Sequence, residues 1–448
     1  MPQHGDDRSR ATESAPRAVP PGARRPIADL ASWVSRQLAG FLRIEAAGGV
    51  VLLVAAGLAL LWANSPWAKS YAALWHTHVD FHVGSFVWKC SLEWFVNDVL
   101  MAIFFFVVGM EIRKELHDGE LSEWRRAALP AVAAVGGMIA PAAIYLLSAP
   151  GPSAHSGWGV PMATDIAFAL GVLALLGKRV PPALRVLLLT LAVIDDLGAL
   201  LVIALFYSSG IAVSGLLIAA FGVALILALR VMAVRAFSAY ILPAVVVWVG
   251  VHSSGIHPTI AGVIVGLLTP VRPWLHESMH RVRSAHREAE SPADVLIEAL
   301  HPWVAFLIMP IFALANAGVN LHELASVGAT ATVSVAIAAA LVLGKPLGII
   351  AVSLLAIWSG LSALPEGLNI RHLVVLGMVA GIGFTMSLFI AQLAFADASL
   401  LGAAKLGVLA ASGVASILAL AIGRAVLPLA KGEQAPQLGG QDPHTESL

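Results

Sequence analysis

The sequence predicts an all-α polytopic membrane protein of about twelve transmembrane helices. It also predicts inverted-topology repeats in spans 3–5 and 10–12, broken and crossing helices at spans 4 and 11, and a small external β-hairpin. Three observations carry this prediction. Of 448 residues, 58% are hydrophobic and only 12% are charged, whereas soluble domains carry roughly a quarter charged residues. Apolar runs of bilayer length follow one another from residue 45 to 427. Inside those runs stand a few carboxylates and a lysine, although an Asp or Lys at a helix centre costs about 2.5–3.5 kcal/mol on insertion scales.

Residues 1–43 are polar and rich in Arg and Pro, without the apolar stretch of a cleavable signal peptide. Within them, IADLASWVSRQLAGFLR (27–43) sets Leu30, Trp33, Val34, Leu38, Phe41 and Leu42 at helical spacing. That pattern predicts a helix lying on the membrane surface. Ahead of residue 27 a disordered tail is the equal alternative. A transmembrane domain follows over 44–431, then a polar tail over 432–448. The single cysteine, Cys90, excludes an intrachain disulfide, and a net charge of zero gives no reason to expect nucleic acid as a partner.

A run of about 20 apolar residues crosses the bilayer core. Such runs lie near 45–65, 94–113, 127–148, 159–176, 183–207, 211–232, 238–252, 256–270, 300–319, 330–358, 371–395 and 402–427. The seventh and eighth are short. Positive charge marks alternate loops: Arg113, Lys114, Arg125 and Arg126 after the second span, Lys178, Arg179 and Arg185 after the fourth, Arg230 and Arg235 after the sixth. Arg272, Arg281, Arg283 and Arg287 follow the eighth, and Arg371 precedes the eleventh. Loops after the third, fifth, seventh and ninth spans carry neither Lys nor Arg. The alternation puts both termini in the cytoplasm, against Lys69, Lys89 and Lys405. In the first external loop, HVDFHVGSFVWK (78–89) alternates on both sides of Gly84-Ser85. This fits a hairpin with a two-residue turn, or else an ordered loop. An isolated hairpin is marginal in water, so pairing with a second copy in a homodimer is expected.

Asp195 and Asp196 lie about twelve residues from either end of the fifth span, near the bilayer midplane. Lys345, in LVLGKPLGII, is similarly central in the tenth span. Asp165 lies in the fourth, Asp98 near the outer end of the second, and Glu111 and Glu115 one turn apart at its inner end. Asp98 admits the reading of a satisfied helix–helix pair, Glu111 and Glu115 that of solvated carboxylates. Asp165 and Lys345 admit mutual neutralisation. One lysine cannot neutralise both Asp195 and Asp196, so that pair points to function.

The fourth span has Pro161 just before Met162-Ala163-Thr164-Asp165, and the eleventh has Gly377, Gly381 and Gly383 within seven residues. Broken helices expose backbone carbonyls and helix ends where a cation can sit. Tight helix packing explains the glycines equally well. Spans 3–5 and 10–12 are both triplets with an interrupted middle helix, seven spans apart and so oppositely oriented. That is the inverted repeat of many secondary transporters. Asp165 would face helix N-termini, and Lys345 C-termini.

At this level the chain resembles the NhaA-type bacterial Na+/H+ antiporter family. The resemblance runs from about 44 to 427 through NDVLMAIFFFVVGMEIRKEL, ATDIAFALGVLALLG, DDLGAL, GIHPTIAGVIVG, LHPWVAFLIMPIFALANAGV, GKPLGI, LPEG and GIGFTMSLFIA. It implies that Asp195 and Asp196 bind the cation and the proton, with Lys345 pairing with Asp195. Thr164 and Asp165 would belong to the unwound part of the fourth helix. It also implies pH response or ion access for Asp98, Glu111, Glu115 and His257. Glu298 stands close to the family's acidic position before the ninth helix, one residue out of register.

The expected function is therefore an electrogenic, pH-regulated antiporter of the bacterial inner membrane. It would extrude Na+, and Li+ with it, in exchange for external protons and so support salt tolerance. Transported Na+, Li+ and H+ are its substrates, the lipid bilayer its surroundings, and no cofactor is implied. Burial and a neighbouring like charge both favour a carboxylate's protonated form. Protons and Na+ then compete for the same oxygens, and hard oxygen donors suit Na+. Mg2+-dependent prenyl transfer would need acids recurring at turn spacing, and Leu197-Gly198-Ala199-Leu200 supplies none. A diaspartyl protease would need a Gly-x-Gly-Asp partner, which is absent. A cation channel would pass sodium unlinked to protons.

Overall fold

A computed structural model describes residues 47–83, 86–117, 119–208, 210–234, 236–271, 291–320 and 329–428. The surface helix expected at 27–43 and both polar tails lie outside these residues. In lipid every backbone N–H and C=O needs a partner within its own segment, so the apolar runs close into helices.

Helix α1 (Ala47–Ala63) turns by 117° into α2 (Ala68–Trp75). The turn falls at Asn64-Ser65-Pro66, where Ser65 Oγ accepts from the Trp67 amide at 3.1 Å. Strands β1 (His78–Val83) and β2 (Phe86–Ser91) pair antiparallel, His78 opposite Ser91 and Val83 opposite Phe86. Then come α3 (Leu92–His117), α4 (Trp124–Ser148), and α5 (Pro152–Met162), which meets α6 (Ile166–Leu175) at 52°. Next are α7 (Pro182–Phe206), α8 (Val213–Val231), α9 (Ser238–Ser253), α10 (Thr259–Leu268), α11 (Pro292–Asn316) and α12 (Thr330–Trp358). Last, α13 (Ile370–Ala380) meets α14 (Phe384–Ala394) at 46°, followed by α15 (Ala398–Val426).

Among the described residues seven helices are long and apolar enough to cross a membrane, or ten if each bent pair is one span. α9 and α10, where the seventh and eighth spans were expected, have 16 and 10 residues. At 1.5 Å per residue, α10 covers only about half of a bilayer core.

α11 and α12 each carry a π-turn, Val304–Ile308 and Ala340–Gly344, just before Met309-Pro310 and Lys345-Pro346. A prolyl nitrogen donates no hydrogen bond and its ring crowds the carbonyl four residues back. The widened turn, with Met309 N on Val304 O and Lys345 N on Ala340 O, lets each helix continue.

The helices pack in two groups. α3, α8, α9, α10 and α11 form one; α4–α7 and α12–α15 form the other. In the second group α4 and α12 approach so closely that a Cβ on Gly348 would stand 2.1 Å from the Gly136 carbonyl oxygen. This contact brings Lys345 into the middle of the second group.

Candidate functional site

The two helix breaks meet. Asp165 N donates to the Ile382 carbonyl at 2.8 Å, so the backbone between α5 and α6 is bonded to that between α13 and α14. Neither stretch can close a helical ladder, because Pro161 lies at the end of α5 and Gly381 and Gly383 flank Ile382. The carbonyls freed by the breaks face neighbours in the other break or in α12.

Asp165 sits where two helices begin. Its Oδ1 accepts from Phe168 N at 2.9 Å, capping α6. Its Oδ2 accepts from Thr385 N at 3.0 Å, at the start of α14, and from the Thr385 hydroxyl. A helix N-terminus carries about half a positive charge, so this carboxylate answers two such ends. Lys345 answers the opposite kind of end, since its Nζ donates to the carbonyl of Met162, the last residue of α5.

Lys345 Nζ also lies 2.5 Å from Asp195 Oδ2, with both side chains fully buried. Thr164 Oγ1 is 2.7 Å from the same Oδ2 and 3.0 Å from the Ala380 carbonyl oxygen. Its single proton serves one of these at a time. Asp195 Oδ1 and both oxygens of Asp196 are buried with no hydrogen-bond partner among the described residues. A buried charge without a partner costs several kcal/mol, so these oxygens call for a proton or a cation. With Asp165 engaged by helix ends, Asp195, Asp196 and Lys345 sum to one negative charge. Three uncommitted carboxylate oxygens and the Thr164 hydroxyl are hard donors, the kind that suits Na+ as substrate.

The other expected residues lie elsewhere. Asp98 and His257 come together, with Asp98 Oδ1 3.5 Å from His257 Nε2 and His257 Nδ1 2.8 Å from Thr259 Oγ1. Glu115 Oε1 accepts from Glu120 N at 2.9 Å and lies 3.4 Å from Thr190 Oγ1. Glu111 is half-buried on α3, one turn before Glu115, and Glu298 is exposed on α11. Sequence reasoning missed Asp294, which pairs with Lys114 at 2.6 Å and closes a capping box with Ser291. The Ser-Pro-Ala-Asp spacing signalled that box. Also missed were Thr385 and the carbonyls of Met162 and Ala380, for which the neighbouring Pro161 and Gly381 were the only signals.

Comparison with known proteins points the same way. The Na+/H+ antiporter 1 family model matches residues 39–422. A Na(+)/H(+) antiporter NhaA 2 of Myxococcus xanthus is 58% identical over 448 residues, covering 94% of this chain and 95% of that protein. Its namesake from Sorangium cellulosum is 50% identical, over 93% of this chain and 96% of its own. A Na(+)/H(+) antiporter NhaA of Janthinobacterium sp. is 48% identical, over 90% and 96% respectively.

Proposed function

We propose that this chain, which belongs to the Na+/H+ antiporter 1 family and is a Na+/H+ antiporter, exchanges one cytoplasmic Na+ for two external protons at Asp195 and Asp196. The observation that carries the proposal is the charge balance at α7: two buried carboxylates, one buried ammonium, and three carboxylate oxygens with no partner among the described residues. In the proposed cycle Na+ takes Asp195 Oδ1, the Asp196 oxygens and Thr164 Oγ1. Lys345 and Asp165 hold the surrounding helix ends. Protonation removes the charge that holds the cation, so proton and Na+ exclude each other. One Na+ against two protons moves one net charge per cycle, which makes exchange electrogenic. The second proton comes from the second aspartate or from Lys345. Li+, with the same preference for hard oxygens, is a second substrate.

The same reading takes in the rest of the fold. Twelve spans follow if each of the three bent pairs, α1/α2, α5/α6 and α13/α14, counts as one span and the shorter α9 and α10 count as spans. The two broken spans and their flanking helices are then inverted repeats, supported by the meeting of the breaks. The arginine-bearing loops support a chain in the bacterial inner membrane with both termini on the cytoplasmic side. Each strand of the two-stranded sheet keeps an outer edge, which supports a homodimer joined there. The Asp98–His257 pair and Glu111 with Glu115 carry pH response, and salt tolerance is the physiological outcome.

Direct competition has a quantitative test. On the acid side of the activity profile the apparent KM for Na+ rises about tenfold per pH unit for one competing proton, and up to about a hundredfold for two. A KM independent of pH beside a steeply pH-dependent rate refutes competition at this site. Exchange that ignores an imposed membrane potential refutes the two-proton scheme.

A further inference from the structure

At one face of the membrane the second helix group opens a cavity of its own, and at the other it is held to the first group. On the face bearing Lys114 and Arg126, a cavity of about 390 Å³ opens between Glu120, Arg126, Leu187 and Thr190. Thr190 lies five residues before Asp195, about 7.5 Å along α7. At the other face α14 is pinned to the opposite group. Phe389, 1% exposed, packs against Phe105, His257 and Phe312 with ring centroids 5.3, 5.4 and 6.2 Å away. Three residues on, on the same side of the helix, Gln392 Nε2 donates to Asn316 Oδ1.

Asn316 is completely buried, and its own Nδ2 donates to Asn97 Oδ1 at 2.8 Å and to the Phe312 carbonyl at 3.0 Å. Both of those bonds stay within the first group, since Asn97 is on α3 and Phe312 on α11. Of the bonds to Asn316 among the described residues, the one from Gln392 is the one that crosses between groups. The end of α11 is braced from outside as well. The Tyr71 hydroxyl of α2 lies 2.8 and 2.9 Å from the Leu314 and Ala315 carbonyl oxygens, and Asn64 Nδ2 donates to the Val319 carbonyl at 2.8 Å. Asn316 is thus a fixed, preorganised acceptor for Gln392.

We infer that Gln392 and Phe389, seated on Asn316 and the Phe105/Phe312 pair, are positioning residues that latch the outer side of the ion path shut, and that outward opening breaks this contact. The inference rests on the orientation proposed above, which makes this face external. An amide pair suits a latch. When it parts, both amides hydrate, so the net cost of opening is that of one exchanged hydrogen bond, small enough for turnover.

The test reads accessibility rather than transport. Met101 is 0% exposed and lies on α3 between Asn97 and Phe105, one turn from each. In a Cys90→Ser background, Met101→Cys is labelled from outside intact cells with a membrane-impermeant maleimide. Gln392→Met, which keeps bulk and loses the donor, is expected to speed labelling about fivefold, the weight of one net hydrogen bond on a two-state equilibrium. Phe389→Leu shifts the rate in the same direction. Ala404→Cys, 0% exposed inside the second group, reports unfolding and stays unreactive in both variants. Unchanged labelling of Met101→Cys in both variants overturns the latch. So does faster labelling confined to inverted vesicles, or faster labelling of Ala404→Cys in parallel. Failure of the proposed exchange would instead appear as missing Na+-linked proton movement in the unsubstituted chain, whatever the labelling shows.

Discussion

Removing the Lys345 ammonium while leaving Asp195 in place strands a charge at the centre of the bundle. In Lys345→Ala the Met162 carbonyl loses its donor, and Asp195 Oδ2 keeps only Thr164. Two adjacent carboxylates of α7, 0% and 1% exposed, are then buried without a cation. Breaking a buried pair by deleting one partner costs about 3–5 kcal/mol, whereas deleting both charges often costs far less. Asn at 195 still accepts from Thr164, so Lys345→Ala combined with Asp195→Asn loses the pair and some packing but strands nothing. The double variant should therefore be more stable than Lys345→Ala alone, with a coupling of about 2 kcal/mol or more. Unfolding in detergent without Na+, followed by tryptophan fluorescence, measures all four corners of the cycle at one pH. Additive losses would refute the ion pair as the element that holds α12 to α7.

Two further substitutions probe separate parts of the account. Thr164→Val keeps the side chain's shape but removes the hydroxyl from Asp195 and from the cation's donor set. A lost hydrogen bond to a charged group is worth about 1.5–3 kcal/mol, so the KM for Na+ should rise at least about tenfold; an unchanged KM would remove Thr164 from the site. Gly348→Ala would place a Cβ 2.1 Å from the Gly136 carbonyl oxygen. Overpacking of this kind costs about 1–3 kcal/mol, and the separation of α4 from α12 should lower the unfolding midpoint and slow exchange together. A variant as stable and active as the unsubstituted chain would contradict that packing.

Asp195, Asp196 and Lys345 were legible because a charge inside an apolar run has few explanations other than a site. The breaks were legible too, since Pro161 and the Gly377, Gly381 and Gly383 cluster are backbone signals readable without neighbours. What stayed hidden depends on contacts distant in sequence. No periodicity joins Asp98 to His257, Lys114 to Asp294, or Asn97 to Asn316 and Gln392. Each member alone resembles an ordinary polar residue near a helix end. The 117° turn after α1 was hidden for another reason: Asn64-Ser65-Pro66 signals a stop but not the direction of the chain beyond it. The π-turns before Pro310 and Pro346 were within reach, because a proline inside a long apolar run must either break the helix or widen the turn before it.

Exchange of one Na+ for protons at Asp195 and Asp196 is open to direct measurement as proton movement driven by a Na+ gradient in proteoliposomes. Purified protein is reconstituted with an internal pH dye, and external Na+ is added with the membrane potential clamped. Immediate proton movement opposite to Na+ is expected in the unsubstituted chain, and none in a correctly inserted Asp196→Asn variant. Na+-driven proton movement of normal rate in Asp196→Asn, or Na+ flux in the unsubstituted chain with no linked protons, would contradict it.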